Sequence, residues 1–181
     1  MKKINPERSS TIMSTMQQRT KRFVKDSHVE MTQLVLPNDT NQLGNLLGGR
    51  LMEWMDIAAA VSAQRHSNYI CVTAAFDNSA FHQPIKLGEV VILRASVNRT
   101  FRTSMEVGVQ VTAENQLTGE RKTANTAYLT FVAVDAKNKP VEVPPIIPQT
   151  AVEKRRYKEA LERRELRLEK RHNNFRARKG K

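Results

Sequence analysis

GGRLMEWMDIAAAVSAQRH, residues 48–66, is the stretch that decides how this chain folds. From Arg50 to about His66 the pattern is helical: Leu51, Trp54, Met55, Ala58 and Ser62 recur at helical spacing. The other faces are also apolar or small, with Met52, Ile57, Ala59, Ala60, Val61 and Ala63. A helix apolar nearly all round is expected to be buried. Gly48 and Gly49 ahead of it would let its first turn approach another backbone closely. One residue does not belong. Asp56 has Met52, Glu53, Ala59 and Ala60 as its helical neighbours, and a carboxylate on such a surface costs free energy unless something pairs with it. It is either a solvated edge or a functional group. The free N–H groups at Gly48–Gly49 sit at the positive end of the helix dipole and can hold an oxyanion. The bland alternative is an ordinary loop-to-helix turn.

Outward from the helix the period changes. Upstream, a strand pattern over residues 29–36 runs into Pro37, and 37–49 is a loop of turn formers. Downstream, residues 69–76, 90–101, 105–111 and 124–134 alternate as strands. Leu117-Thr118-Gly119-Glu120 reads as a hairpin turn. Long strands joined by short turns imply an antiparallel sheet. The order strand, buried helix, four strands suits an α+β fold in which one sheet wraps a single helix. The outer face of that sheet would still need covering, which argues for a dimer or larger assembly. Residues 135–148 form an exit loop with four prolines, and 151–171 read as a charged helix with Glu159–Arg163 and Lys158–Glu162 at pairing distance. Only a thin stripe, Tyr157, Leu161 and Leu168, is available there for packing.

The 181 residues suffice for one domain with a real core. The net charge of +12 is not spread evenly. Residues 1–25 hold seven Lys/Arg against one Glu, and residues 151–181 hold thirteen against five. The stretch between them is slightly acidic, with ten Lys/Arg against twelve Asp/Glu. This divides the chain into a polar basic segment (1–25) expected to be poorly ordered, a central domain (26–150) and a basic helical tail (151–181). Basic ends can hold anionic partners, but these lack the interleaved aromatics that stack bases, which argues against nucleic acid. No segment is long and apolar enough to span a membrane, no apolar run follows Lys2 and Lys3, and Cys71 is the only cysteine. Those features read as a cytoplasmic protein. The histidines are scattered without metal-ligand spacing. Cys71, in a β-rich segment, reads as a buried small side chain.

Several separated motifs now agree in order. Leu36-Pro37-Asn38-Asp39-Thr40-Asn41, Gly44-Asn45, Gly48-Gly49, Leu51-Met52 and Met55-Asp56 resemble the acyl-CoA hydrolase branch of the hotdog thioesterases. Val72-Thr73-Ala74-Ala75-Phe76-Asp77, Phe81, Pro84-Ile85 and Gly88-Glu89-Val90 look like its second block, and Thr130 to Asp135 is similar to its closing strand. The match covers roughly residues 27–148. The resemblance implies a hotdog fold, dimers often assembled into hexamers, and hydrolysis of acyl-CoA to a free acid and CoA without a separate cofactor. It carries Asp56 over as general base or nucleophile and Asn41, supplied by the partner subunit, as the second catalytic residue; Asn41 also reads as an Asx turn. The N–H of Gly49 is assigned to the oxyanion. Arg99, Arg102, Thr103 and Ser104, in a turn with chemistry suited to a pyrophosphate, are assigned to CoA. Asp77, Phe81 and Met52 are assigned to substrate contacts, Met52 and Phe81 along the acyl groove. The chain departs from the pattern at Ala80, where many relatives carry a polar residue. A hydratase of the same fold would need a histidine at the start of the central helix, and none stands there. A non-catalytic acyl-CoA sensor would keep the pocket without needing Asp56. The acyl length is not encoded in any of these motifs.

Overall fold

The computed structural model describes residues 21–81 and 83–179, without the side chains of 78–81, 174, 175 and 177–179. The elements run β1 (Arg22–Phe23), β2 (Val29–Leu34), α1 (Gly48–Ser67), β3 (Ile70–Phe81), β4 (Val90–Thr100), β5 (Ser104–Glu114), β6 (Arg121–Val134), β7 (Ile146–Ile147) and α2 (Ala151–Lys179). Five of them form an antiparallel sheet in the order β2-β4-β5-β6-β3, so β2 and β3 are its edges. The two shortest strands, β1 and β7, pair in parallel beside it.

Alternation builds the core. Val91, Leu93, Ala95 and Val97 of β4, Met105, Val107, Val109 and Val111 of β5, and Ala127, Leu129, Phe131 and Ala133 of β6 are all buried on the face that holds α1. Against them α1 buries Leu51, Trp54, Met55, Ala58, Ala59, Ser62, Ala63 and His66. Asn68 ends the helix in the left-handed conformation (φ 59°), its N–H returning to the Gln64 carbonyl. The 115–120 turn closes β5 onto β6 as expected, with Gly119 at φ +71° and the Asn115 side chain accepting from the Leu117 and Thr118 N–H groups.

Three expectations need correction. First, α1 is not buried all round: Met52, Ile57 and Val61 are 39–45% exposed, because the sheet curls around only one side of the helix. Second, the outer face of the sheet is partly covered by the chain's own α2. Third, only part of the apolar stripe of α2 docks: Tyr157 packs against the core and Ala160 beside it is fully buried, while Leu168 is exposed. Charged groups add to this hold. Arg163 donates two hydrogen bonds to Glu106, a β5 carboxylate only 1% exposed, and stacks on Tyr128 of β6 at 3.6 Å. Asn98 of β4 donates to the same carboxylate across the sheet. A Cβ on Gly108 would come within 2.7 Å of that Asn98 amide, which is why glycine stands there.

Candidate active site

Asp56 is half-buried on the open side of α1. The Thr73 hydroxyl donates to its Oδ1 at 2.7 Å. Thr73 points at the helix because its cross-strand partner is the core residue Phe131. The strand register then shifts between Thr73 and Ala75, so that Asp77 pairs opposite Tyr128 and faces the outer side. One oxygen of the Asp56 carboxylate is thus held, and among the described residues no hydrogen bond engages the other. Thr73 stood inside a quoted motif without a role. A hydroxyl on the inward side of an otherwise apolar strand was the available signal, but the bulge beside it hid which side was inward.

Gly49 lies seven residues before Asp56, two turns along the same face of α1, or roughly 10 Å along the axis. No side chain caps this helix start, where Leu47 is the N-cap residue. A Cβ on Gly49 would meet nothing within 4 Å, so the glycine serves no close approach within this chain. The preceding loop is tied down by Asp39, which accepts from the Leu36 N–H and pairs with Arg50 at 2.9 Å. Asn41 forms the Asx turn: its Oδ1 accepts from the N–H groups of Leu43 and Asn45, and among the described residues its amide NH2 has no partner. Asn41 lines a cleft of about 310 Å³ with Asn45, Leu46, Leu51, Gln83, Pro84 and Ile85, beside the first turn of α1. Within one chain no hydrogen bond joins Asn41 to Asp56.

The residues assigned to CoA are placed elsewhere. Arg99 donates to the Tyr157 carbonyl and stacks on the Tyr157 ring at 4.1 Å, so it faces α2. Arg102 is exposed and lies 4.0 Å from Glu142. The Thr103 carbonyl accepts from Ala133, and Ser104 opens β5. Asp77 is paired with Arg167 of α2 on the outer face, away from Asp56. Met52 is exposed one turn before Asp56 on its side of the helix. The Phe81 side chain lies outside the described residues. Two other titratable groups are perturbed. Burial pushes the His66 imidazole below its ordinary value, partly offset by its bond to the Pro144 carbonyl. Burial raises the Cys71 thiol, partly offset by Ser67. No group of three potential metal ligands occurs among the described residues.

A helix cradled by one antiparallel sheet places the molecule in the hotdog class. Comparison with known proteins narrows this. Residues 43–120 match the model of the Thioesterase superfamily. The chain is 45% identical over 132 residues to the uncharacterized acyl-CoA thioester hydrolase YkhA of Bacillus subtilis, covering 73% of this chain and 77% of that one. An acyl-CoA hydrolase structure from Bacillus cereus superposes with a TM-score of 0.83 at 37% identity, covering 87% of this chain and 96% of that one. That of the Staphylococcus aureus acyl-CoA hydrolase gives 0.81 at 34%, again covering 87% and 96%. The chain belongs to the thioesterase superfamily, in its acyl-CoA hydrolase branch.

Proposed function

We propose that this protein hydrolyses the thioester of fatty acyl-CoA to a free acid and CoA, with Asp56 as the central catalytic residue. The observation that carries this is the Asp56 carboxylate, oriented by Thr73 on the open face of α1. As general base it takes a proton from water; the hydroxide adds to the carbonyl carbon, the C–S bond breaks, and CoA leaves as the thiolate. As nucleophile it would attack the same carbon, expel CoA as the thiolate and form an anhydride that water then cleaves to the free acid and the carboxylate. With Oδ1 occupied by Thr73, Oδ2 is the atom left for either task.

Helix geometry bears on what completes the site. A carbonyl held at the Gly49 N–H lies two turns from Asp56 of the same helix, against a reacting distance of about 3–3.5 Å. The two groups cannot serve one thioester within one chain. The reading therefore joins Asp56 and Thr73 of one copy to Asn41 and the Gly49 N–H of another. The open space around Gly49 and the free Asn41 amide suit that arrangement. So does the apolar band along Met52, Ile57 and Val61 of α1 with Ile70 and Val72 of edge strand β3, which is exposed in the single chain. Two solved thioesterases, one 42% identical and one from Yersinia pestis 34% identical, are hexameric. The Staphylococcus aureus enzyme has been solved with butyryl-CoA and CoA, and as variants at an asparagine, an aspartate and a threonine. Those three residues have the spacing of Asn41, Asp56 and Thr73. In this reading residues 26–150 are the catalytic domain and the assembly is a hexamer built from dimers.

The test is CoA release from a panel of acyl-CoAs of increasing length, for the wild type and Asp56→Ala. Turnover by the wild type and a loss of about a hundredfold or more in the variant are expected. Binding of acyl-CoA with no release from any of them would replace the enzyme by a sensor.

A further inference from the structure

Arg163 and Arg167 stand one turn apart on α2 and grip three adjacent strands of the sheet. Arg163 takes Glu106 of β5 and the ring of Tyr128 of β6. Arg167 takes Asp77 of β3. Tyr128 and Asp77 are direct cross-strand partners, so the two arginines meet β6 and β3 at the same rung. That rung matters because the pairing of β3 with β6 is the least regular in the sheet. β3 is an edge strand with β6 as its single neighbour in the sheet. Its register shifts between Thr73 and Ala75 and again between Asp77 and Ala80, leaving only Ala75, Phe76 and Asp77 in regular pairing between the two irregularities. On the far side of the first shift is Thr73, which orients Asp56.

We propose that Arg167 is a positioning residue for the active site: its ion pair with Asp77 clamps this short regular stretch of β3 and so fixes the height at which Thr73 meets Asp56. The inference rests on the thioesterase reading for its catalytic consequence, but the clamp itself does not. The carboxylate and guanidinium are each about one quarter exposed, enough shielding for a pair that fixes geometry while adding modest stability. The basic tail thereby acquires a task within the fold. A neutral α2 would still cover the sheet but would leave the stretch between the two irregularities without this anchor.

Hydrogen exchange across residues 70–77 and steady-state kinetics test this on the full chain. Arg167→Ala is expected to speed exchange in 70–77 while leaving β5 protected. It should lower kcat by about three- to tenfold with KM nearly unchanged, the mark of a displaced catalytic group rather than lost substrate contact. On a Thr73→Ala background the same substitution should have almost no further effect on kcat, because the route through Thr73 is already cut. Asp77→Asn should reproduce Arg167→Ala, and the charge swap Asp77→Arg with Arg167→Asp should restore both readouts in part. Unchanged exchange in 70–77, or a full additive loss on the Thr73→Ala background, overturns the proposal. An inactive wild type whose β3 is nonetheless released by Arg167→Ala sinks the thioesterase reading and leaves the clamp standing.

Discussion

At the scale of single residues, the chain carries polar groups whose neighbours explain their presence to different degrees. Asp56 was legible because helical periodicity put a carboxylate among small apolar side chains. Its partner Thr73 was not, because a bulge sets which way that hydroxyl points. Gly49 spends helix stability without a steric reason inside the chain. Gly49→Ala should therefore stabilise the protein by about 0.5–1 kcal/mol while lowering kcat/KM, since a methyl group would enter the space left for the thioester. Melting curves and kinetics on one preparation check this; a variant both more stable and fully active would remove Gly49 from oxyanion binding. His66 is fully buried, with Nε2 bonded to the Pro144 carbonyl and Nδ1 unpartnered. Charging it would bury a second N–H without an acceptor. Arg22 opposes that charge and Asp26 favours it. The folded-state pKa is lowered, so its contribution to stability is complete above the ordinary value of about 6.5 and is lost as pH falls below it. Urea midpoints measured from pH 7.5 down to 5 should drop more steeply for the wild type than for His66→Gln.

Among the elements, α2 departs furthest from expectation. Its sequence reads as a charged helix with only a thin apolar stripe available for packing. The docking groups lie elsewhere: Glu106, Tyr128 and Asp77 occupy outward positions of three strands and become an acidic and aromatic platform only once the sheet forms. The pairing of Arg163 with Glu159 was visible at four-residue spacing and is present at 3.8 Å. Its shorter pairing with Glu106, 57 residues away, was not visible. Removing Arg163 leaves a buried carboxylate with only the Asn98 amide, so Arg163→Ala should cost about 3 kcal/mol. Adding Glu106→Gln should recover much of that loss in a urea titration, because the uncompensated charge is gone. A small effect of Arg163→Ala would mean that α2 docks by other means.

For the molecule as a whole, the decisive feature is a surface. One face of α1 and the edge strand β3 leave Ile57, Ile70 and Val72 exposed at 45%, 63% and 46%, beside the Asp56 site. An unpaired edge and an apolar band of this kind call for a partner, and the site geometry asks for a second copy of the same chain. Ile57→Asp combined with Val72→Lys should shift the protein to a slower species in sedimentation velocity and abolish turnover together. Dissociation with activity intact would place the complete site within one chain. By itself the sequence determined the helix, the five-stranded sheet around it, the turn at Gly119 and the suspicion attached to Asp56. These follow from local periodicity and turn chemistry, which act over a few residues. Only the tertiary structure decided that Thr73 orients Asp56 and that arginines of the tail bind the outer face of the sheet. Each of these depends on a bulge, a curvature or a pairing between residues far apart in the chain, and the side chains involved acquire neighbours only when the strands are in register.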